Sequence, residues 1–157
     1  MSWELLRPTP SSDFIMAVDP AVPIGIAIVV HRGRYLVGTR PHGGVLGGYA
    51  EFPGGKCHPG ETTGLCARRE CLEETGLDVQ VVELLMQRTF AYPHGTVDLH
   101  FWLCHPTSKA EIREEHQGFR WVSPSELRGL QFPEANRPLL DVLAPLDGDR
   151  PTGQTSI

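Results

Sequence analysis

Three glutamates near the middle of the chain are the residues whose spacing best suits chemistry. Glu70, Glu73 and Glu74 stand at positions i, i+3 and i+4, which places all three carboxylates on one face of a helix. Like charges at this spacing destabilise an isolated helix, and a hard divalent cation with oxygen ligands would offset the repulsion. The spacing therefore makes this face a candidate cation site. The alternative is a solvated acidic surface that pairs weakly with Arg68 and Arg69.

The segment before these glutamates is rich in glycine. Residues 41–60 contain seven glycines and three prolines, which predicts a long loop of a kind that is uncommon unless it is functional. Gly54 and Gly55 allow a close approach of the backbone, so a carbonyl oxygen could join the carboxylates as a ligand. Mg²⁺ binds one or two carboxylates together with water and substrate phosphates, so one ion could bridge this face to a diphosphate. A carboxylate or a metal-bound hydroxide could then activate water.

Apolar runs and capping residues predict the elements that hold these groups. Strands are predicted at Gly25–Val30, Tyr35–Thr39, Val79–Arg88, Val97–His105 and Phe119–Val122. Helices are predicted at Thr62–Thr75, after the capping sequence Ser123–Glu126, and at Asn136–Ala144. Leu65, Cys66, Ala67 and Leu72 form the expected apolar stripe of the first helix, Gly76 its C-terminal stop and Pro145 the end of the last helix. The order of elements predicts an α/β or α+β class with a mixed sheet.

The composition is that of one acidic domain. The 157 residues include 14 Lys and Arg against 19 Asp and Glu, a net charge of −5, so no global field attracts a nucleic-acid polymer or an anionic membrane. The longest apolar run, about residues 24–30, is far shorter than the ~18 residues of a membrane span. We expect an N-terminal arm over residues 1–22, one domain over residues 23–146 and a flexible tail over residues 147–157.

Cysteine usage and the N-terminus give the expected compartment. Residues 1–19 contain Glu4, Asp13 and two prolines and lack the apolar core of a secretory signal. Cys57, Cys66 and Cys71 lie close in sequence, but their spacing is not that of a zinc finger. We therefore expect a cytoplasmic protein with reduced cysteines and no zinc site.

The stretch from Gly55 to Leu77 resembles the Nudix box, which is written G-x5-E-x7-R-E-U-x-E-E-x-G-U with U aliphatic. The matching residues are Gly55, Glu61, Arg69, Glu70, Glu73, Glu74, Gly76 and Leu77. Cys71 departs at the first U position, where a small buried hydrophobe should preserve the packing. The resemblance implies a Nudix-type α/β/α sandwich around a mixed β-sheet. It also implies attack of water on a substrate phosphorus with Mg²⁺, or Mn²⁺ in its place, screening the developing charge.

The resemblance extends to two segments outside the box. The segments EFPGGK at residues 51–56 and FPEANRP at residues 132–138 are similar to segments of MutT-type Nudix enzymes. This similarity implies that Phe52 and Asn136 contact a purine base and that Arg40 binds the nucleotide. From the residues alone, Asn136 could instead cap a helix and Arg40 could form a surface ion pair.

The resemblance also implies roles for the acids and for Arg69. The implied metal ligands are the Gly55 carbonyl and the carboxylates of Glu70, Glu73, Glu74 and Glu115, with Glu114 as the alternative to Glu115. Either Glu70 or Glu115 could be the catalytic base. Glu61 is expected to orient the loop and the helix start, and Arg69 to fix a neighbouring catalytic carboxylate.

The implied activity is that of a MutT-like pyrophosphohydrolase. It would convert a nucleoside triphosphate to the monophosphate and pyrophosphate, with an oxidised purine such as 8-oxo-dGTP as a candidate substrate. The expected partner is a small-molecule nucleotide, and the protein would act as a monomer or a homodimer. Two alternatives stay open: a Nudix enzyme for ADP-ribose, a nucleotide sugar or a dinucleoside polyphosphate, and a non-catalytic nucleotide sensor. His94-Gly95 after Pro93, where MutT has Asp-Arg, could reshape the base pocket.

Overall fold

The computed structural model describes residues 20–44 and 46–146. Eight strands lie at β1 Val22–His31, β2 Arg34–Thr39, β3 Ala50–Glu51, β4 Gly54–Lys56, β5 Val79–Tyr92, β6 Gly95–Pro106, β7 Glu115–His116 and β8 Phe119–Val122. Three α-helices lie at α1 Thr63–Thr75, α2 Pro124–Gly129 and α3 Arg137–Leu146, and a 3₁₀ turn at Glu134–Asn136 precedes α3. Most of the predicted N-terminal arm and the whole predicted tail fall on residues 1–19 and 147–157, outside the described residues. The division into arm, domain and tail stays a prediction.

A mixed sheet forms the centre of the fold. Its strands run in the order β5-β6-β1-β2-β8-β7, with β3 paired to β2 and β4 paired to β1. Strand β1 is parallel to β6 and antiparallel to β2 and β4. Because β1 lies between these neighbours, its residues 25–29 are buried, as expected for a central strand that is covered on both faces.

Helices cover both faces of this sheet. Successive side chains of β1 point to opposite faces, so Ile26 and Ile28 enter one core and Ala27 and Val29 enter the other. The first core includes Leu127 of α2 together with Leu139 and Leu143 of α3, and the second includes Ala67 and Cys71 of α1. This arrangement is the predicted α/β/α sandwich. In the part of the chain that is described, no helix is both long and apolar enough to cross a membrane.

Helix α1 begins and ends where the sequence predicts. The Thr62 hydroxyl accepts a hydrogen bond from the Leu65 amide at 3.2 Å, and Gly76 ends the helix in the left-handed region at φ 77°. The predicted apolar stripe is wrong in part. Leu65 and Leu72 are 57% and 46% exposed, and the buried face consists of small side chains, namely Cys66, Ala67, Cys71 and Thr75.

The reason is the short distance between α1 and β1. A Cβ atom on Gly25 would lie 2.5 Å from the Thr63 carbonyl oxygen, 2.8 Å from the Ala67 nitrogen and 2.9 Å from the Cys66 Cβ. Two of these neighbours are backbone atoms, which cannot rotate away. A leucine would not fit at such a contact, so the larger apolar residues of α1 face outward.

The other differences include three short strands and the end of α3. The predicted loop over residues 41–60 contains the short strands β3 and β4, because their backbone groups pair with β2 and β1. Further backbone bonds hold this segment, from the Ala50 amide to the Gln131 carbonyl and from the Ala27 amide to the Pro53 carbonyl, each at 2.8 Å. The sequence did not predict β7. Helix α3 extends to Leu146 and is not ended by Pro145.

Replacing Gly25 by alanine should separate α1 from the sheet. The added methyl group meets backbone atoms, so we expect the free energy of unfolding to fall by about 1–3 kcal/mol, as in other overpacked cores. Urea denaturation measures this change. The control is Gly129→Ala at the end of α2, where an added Cβ meets nothing within 4 Å. Equal stability of both variants and the wild type would contradict the close contact.

Candidate active site

The glycine pair of β4 lies directly against the acids of α1. A Cβ on Gly55 would lie 2.5 Å from the Glu70 carboxyl carbon, and the Gly54 amide donates to the Glu74 carboxylate at 3.3 Å. A side chain on Gly54 would also meet the Gly25 carbonyl oxygen at 2.7 Å. Glycine is therefore required at Gly54, where a side chain would meet backbone atoms of β1, whereas a side chain on Gly55 would displace the end of the flexible Glu70 side chain. The two glycines bring the loop backbone to the acidic face as the sequence predicts.

Arg69 lies among the acids and binds several of them. Its guanidinium donates to both Glu61 oxygens at 2.7 and 2.9 Å, to Glu70 at 3.2 Å and to Glu73 at 3.2 Å. It also donates to the Lys56 carbonyl at 3.1 Å. These bonds offset the repulsion between the carboxylates and connect β4 to α1. The contacts agree with the predicted fixing role of Arg69, which stays a prediction.

Glu61 connects the loop to the helix start. Its carboxylate accepts from the His58 amide at 2.8 Å as well as from Arg69. The Arg69 hydrogen bonds, with that of the His58 amide, hold the pKa of Glu61 down at about 2. Glu61 therefore stays ionised at neutral pH, and its contacts agree with the predicted role in orienting the loop, which stays a prediction.

Glu74 is a half-buried acid whose hydrogen-bond donor is a neutral amide. The pKa of Glu74 is raised from 4.5 to about 7, mainly by burial; the nearby Glu70 and Glu51 charges contribute to this rise, and the hydrogen bond from the Gly54 amide opposes it. Burial also raises the pKa of Glu51, against the lowering effect of Arg40. An excess of partly buried carboxylates suits a hard divalent cation, whose charge would stabilise their ionised forms.

The three glutamates of α1 do not all point the same way. The side chain of Glu70 is 15% exposed and lies against Gly55, whereas that of Glu73 is 56% exposed and pairs with Arg69. Glu70 and Glu74 are thus the carboxylates that this structure places beside the glycine pair. The predicted ligand set of Gly55, Glu70, Glu73 and Glu74 stays a prediction.

A cavity of about 400 Å³ opens beside the glycine pair. It contains the three predicted substrate-binding residues, and its walls are otherwise mostly apolar: Ile24, Ile26, Arg40, Leu46, Glu51, Phe52, Gly54, Gly55, Tyr92, His94, Val97, Leu99, Pro133, Ala135 and Asn136. Phe52 is 6% exposed and stacks on Phe132 with ring centroids 4.9 Å apart. The structure therefore brings Arg40, Phe52 and Asn136 together although they are far apart in sequence.

Two further residues of this cavity, Glu51 and Tyr92, were given no role from the sequence, whereas His94 was expected to reshape the base pocket. Glu51 pairs with Arg40 at 3.5 Å, and Tyr92 and His94 stack with centroids 5.3 Å apart at the β5–β6 hairpin. The sequence predicts the two strands of this hairpin but not its place in the sheet. The parallel pairing of β6 with β1 brings the hairpin beside the strand that also holds β4.

Glu115 lies in a different place. It is exposed in β7 and lines a second, polar cavity with Thr75 and Gly76 at the C-terminal end of α1. It is not among the lining residues of the cavity beside Gly55. The structure does not bring Glu115 to the acidic face near Gly55, and its predicted metal and base roles gain no support from this placement.

Removing the charge of Glu74 should stabilise the metal-free protein at neutral and higher pH. The pKa of Glu74 is raised from 4.5 to about 7 in the folded state, so its contribution to stability is intact below about pH 4.5 and is lost as the pH rises through about 7. We expect Glu74→Gln in EDTA to resemble the wild type near pH 5 and to be more stable near pH 8. Urea denaturation at both pH values measures this.

The neighbouring variant Glu73→Gln is the control for that experiment. Its carboxylate is exposed and paired with Arg69, so we expect no gain near pH 8. Parallel pH profiles for Glu74→Gln and the wild type would show that Glu74 carries no burial penalty.

Comparisons with known proteins agree with this geometry. A family model for the NUDIX domain matches residues 25–142. The chain is 34% identical over 90 residues to an 8-oxo-dGTP diphosphatase of Escherichia coli (strain K12). The alignment covers 57% of this chain and 70% of that protein. The chain is also 33% identical over 132 residues to an octanoyltransferase of Myxococcus xanthus. That alignment covers 77% of this chain but 36% of the octanoyltransferase.

A solved structure gives the same result for the fold. The solution structure of the E. coli ORF135 protein superposes on this structure with a TM-score of 0.66 and 30% sequence identity. The superposition covers 83% of this chain and 94% of the ORF135 chain. The NUDIX model spans well over half of the chain, including most of β1, the glycine pair, α1 and the first part of α3. The chain therefore belongs to the Nudix family of hydrolases.

Proposed function

We propose that this protein is a Mg²⁺-dependent, MutT-like nucleoside triphosphate pyrophosphohydrolase. It converts its substrate to a nucleoside monophosphate and pyrophosphate, and an oxidised purine nucleotide such as 8-oxo-dGTP is the proposed substrate. One observation carries the proposal: the mostly apolar cavity with Arg40 and Asn136 shares Gly54 and Gly55 with the acidic face of α1. A nucleotide whose base occupies the cavity would thus place its phosphates beside the carboxylates. The similarity to a relative named 8-oxo-dGTP diphosphatase supports the same substrate class.

The residues beside the glycine pair fit a divalent cation. Glu70 and Glu74 are the proposed carboxylate ligands, with the Gly55 carbonyl and Glu73 completing the set. Mg²⁺, or Mn²⁺ in its place, would neutralise charge on the substrate phosphates. Arg69 donates a hydrogen bond to Glu70 and so limits the motion of this carboxylate.

Water activation is assigned to a carboxylate of this same face. Of the two candidate bases, Glu70 lies beside Gly55, whereas Glu115 lines the second cavity. A base must reach the water that attacks phosphorus, within about 3 Å. The proposal therefore assigns the role to Glu70 and leaves Glu115 out of the mechanism.

The cavity provides polar groups that could read a base. Asn136 is partly buried and follows the buried residue Ala135 in the 3₁₀ turn. An amide side chain donates and accepts in one plane, which matches the edge of a purine. Arg40, paired with Glu51, is proposed to contact the nucleotide, and the apolar walls exclude water from the base.

Product analysis tests the proposed reaction. The full chain with Mg²⁺ is incubated with canonical dNTPs and NTPs, 8-oxo-dGTP, ADP-ribose, a nucleotide sugar and diadenosine polyphosphates. We expect monophosphate and pyrophosphate from the oxidised purine, with EDTA abolishing the reaction. Preference for a sugar or dinucleotide would replace the proposed substrate with another Nudix substrate. Binding without any product would favour the sensor alternative.

Replacing Glu74 by glutamine should abolish most turnover while leaving the fold intact. Loss of a carboxylate beside the phosphates should lower kcat by about 100-fold or more. Steady-state kinetics with circular dichroism as the folding check measure this loss. Glu83→Gln, an exposed acid on β5, is the matched control and should keep wild-type turnover. Near-normal turnover of a folded Glu74→Gln protein would remove Glu74 from the site.

Replacing Asn136 by alanine should weaken purine recognition more than chemistry. Loss of one or two hydrogen bonds should raise KM for the purine substrate by about 3- to 10-fold, with a smaller change in kcat. The ratio of kcat/KM between purine and pyrimidine triphosphates should fall as well. Gln80→Ala, an exposed amide on β5, should leave this ratio unchanged. An unchanged ratio for Asn136→Ala would show that Asn136 does not read the base.

A further inference from the structure

Two cysteines and one carboxylate meet at the start of α1. The Sγ atoms of Cys57 and Cys66 and a carboxylate oxygen of Glu61 all lie within 4.8 Å of one another. Cys57 follows β4, Glu61 precedes α1 and Cys66 lies in its first turn. The spacing of these cysteines did not predict the cluster, because it depends on how the loop returns to the helix.

The dimensions of the cluster suit a tetrahedral metal ion. Zn²⁺ binds sulfur at about 2.3 Å, so two thiolates on one ion lie about 3.8 Å apart. Ligand atoms that already lie within 4.8 Å of one another need to approach by only about an ångström. We propose that Cys57, Cys66 and Glu61 form a second metal site, separate from the glutamates of α1, which takes a thiophilic divalent cation such as Zn²⁺ or Cd²⁺.

The donor set selects the class of ion. Two thiolates and one carboxylate favour zinc-like ions, whereas Mg²⁺ requires oxygen ligands. Three protein ligands leave a fourth position for water, as in other zinc sites with an open position. Cys66 is buried and Cys57 is partly exposed, so an ion can enter from the side of Cys57.

Positive charge lies beside the cluster as well. Two thiolates and the Glu61 carboxylate would carry three negative charges, which a divalent ion and Arg69, shared with Glu70 and Glu73, would offset in large part. Arg69 Nη2 lies 3.8 Å from Cys66 Sγ and binds Glu61. A carboxylate offers about four lone-pair positions, so Glu61 can keep Arg69 and still bind the ion.

A bound ion would change one contact of the proposed active site. The Cys66 thiol donates to the Gly55 carbonyl at 3.3 Å, and this hydrogen is lost when the sulfur binds a metal. The Glu61 carboxylate that holds Arg69 would then be shared with the ion. Occupancy of the thiol site would therefore alter both the Gly55 carbonyl and the Arg69 network.

Cadmium titration of the reduced full chain tests the proposal directly. Excess Mg²⁺ is present to occupy oxygen-ligand sites, and the ultraviolet charge-transfer band between thiolate and Cd²⁺ is the signal. We expect the band to saturate at one Cd²⁺ per chain, and Zn²⁺ to displace Cd²⁺ at the same stoichiometry. Absence of a saturating band in the wild type would overturn the site.

Two kinds of variant identify the ligands. Cys57→Ser, at the more exposed cysteine, should lower Cd²⁺ affinity at least about 10-fold, because one of two soft ligands is lost. Cys66→Ser should do the same, with circular dichroism as the folding check. Cys104→Ala, a buried cysteine outside the cluster, and His58→Ala, the exposed neighbour, should bind like the wild type. Unchanged affinity of Cys57→Ser, or an equal loss in either control, would overturn the assigned ligands.

Discussion

The close approach of α1 to β1 and β4 is the constraint on which the rest of this structure depends. Gly25 and Gly55 lie opposite each other in the antiparallel pair of β1 and β4, and α1 presses against both. A side chain at Gly25 would strike the backbone of α1, and one at Gly55 would strike the Glu70 carboxylate. Because Gly25 and Gly55 have no side chains, α1 packs close to the sheet, and the backbone of β4 lies next to the acids of α1.

This close packing brings several carboxylates together, and the Arg69 guanidinium offsets their negative charge. Arg69 binds three glutamates and a carbonyl, so the acids are held in place before any ligand arrives. Glu74, by contrast, accepts a hydrogen bond from the neutral Gly54 amide and has a raised pKa. Ionising the half-buried Glu74 carboxylate lowers the stability of the ligand-free protein. A site for a metal–phosphate complex is expected to carry such a cost, because the charge of the bound cation removes it.

The local features of the site were readable from the sequence. The helix bounds and the Gly76 stop follow from capping rules that involve only neighbouring residues. The acid spacing and the glycine pair likewise belong to one continuous segment. The meeting of Arg40, Phe52 and Asn136 was accessible only through the resemblance to MutT-type segments, because it depends on three distant parts of the chain.

The features that the sequence did not predict all depend on tertiary distance. Leu65 and Leu72 suggested a buried stripe, but the short distance at Gly25 admits only small side chains. Cys57 and Cys66 have no zinc-finger spacing, and they meet because the segment after β4 turns back onto α1. The resemblance implies a metal-binding role for Glu115, yet this residue lines another cavity.

Paramagnetic broadening by Mn²⁺ tests the central claim that the cation binds where the glycine pair meets the acids of α1. The measurement follows backbone amide resonances of the full chain during a Mn²⁺ titration, with and without a nucleoside monophosphate. The account predicts early broadening at Gly54, Gly55 and Glu70, and broadening of the monophosphate phosphorus signal. Early broadening centred instead on Glu115 and Gly118, with Gly54 and Gly55 still sharp, would contradict it.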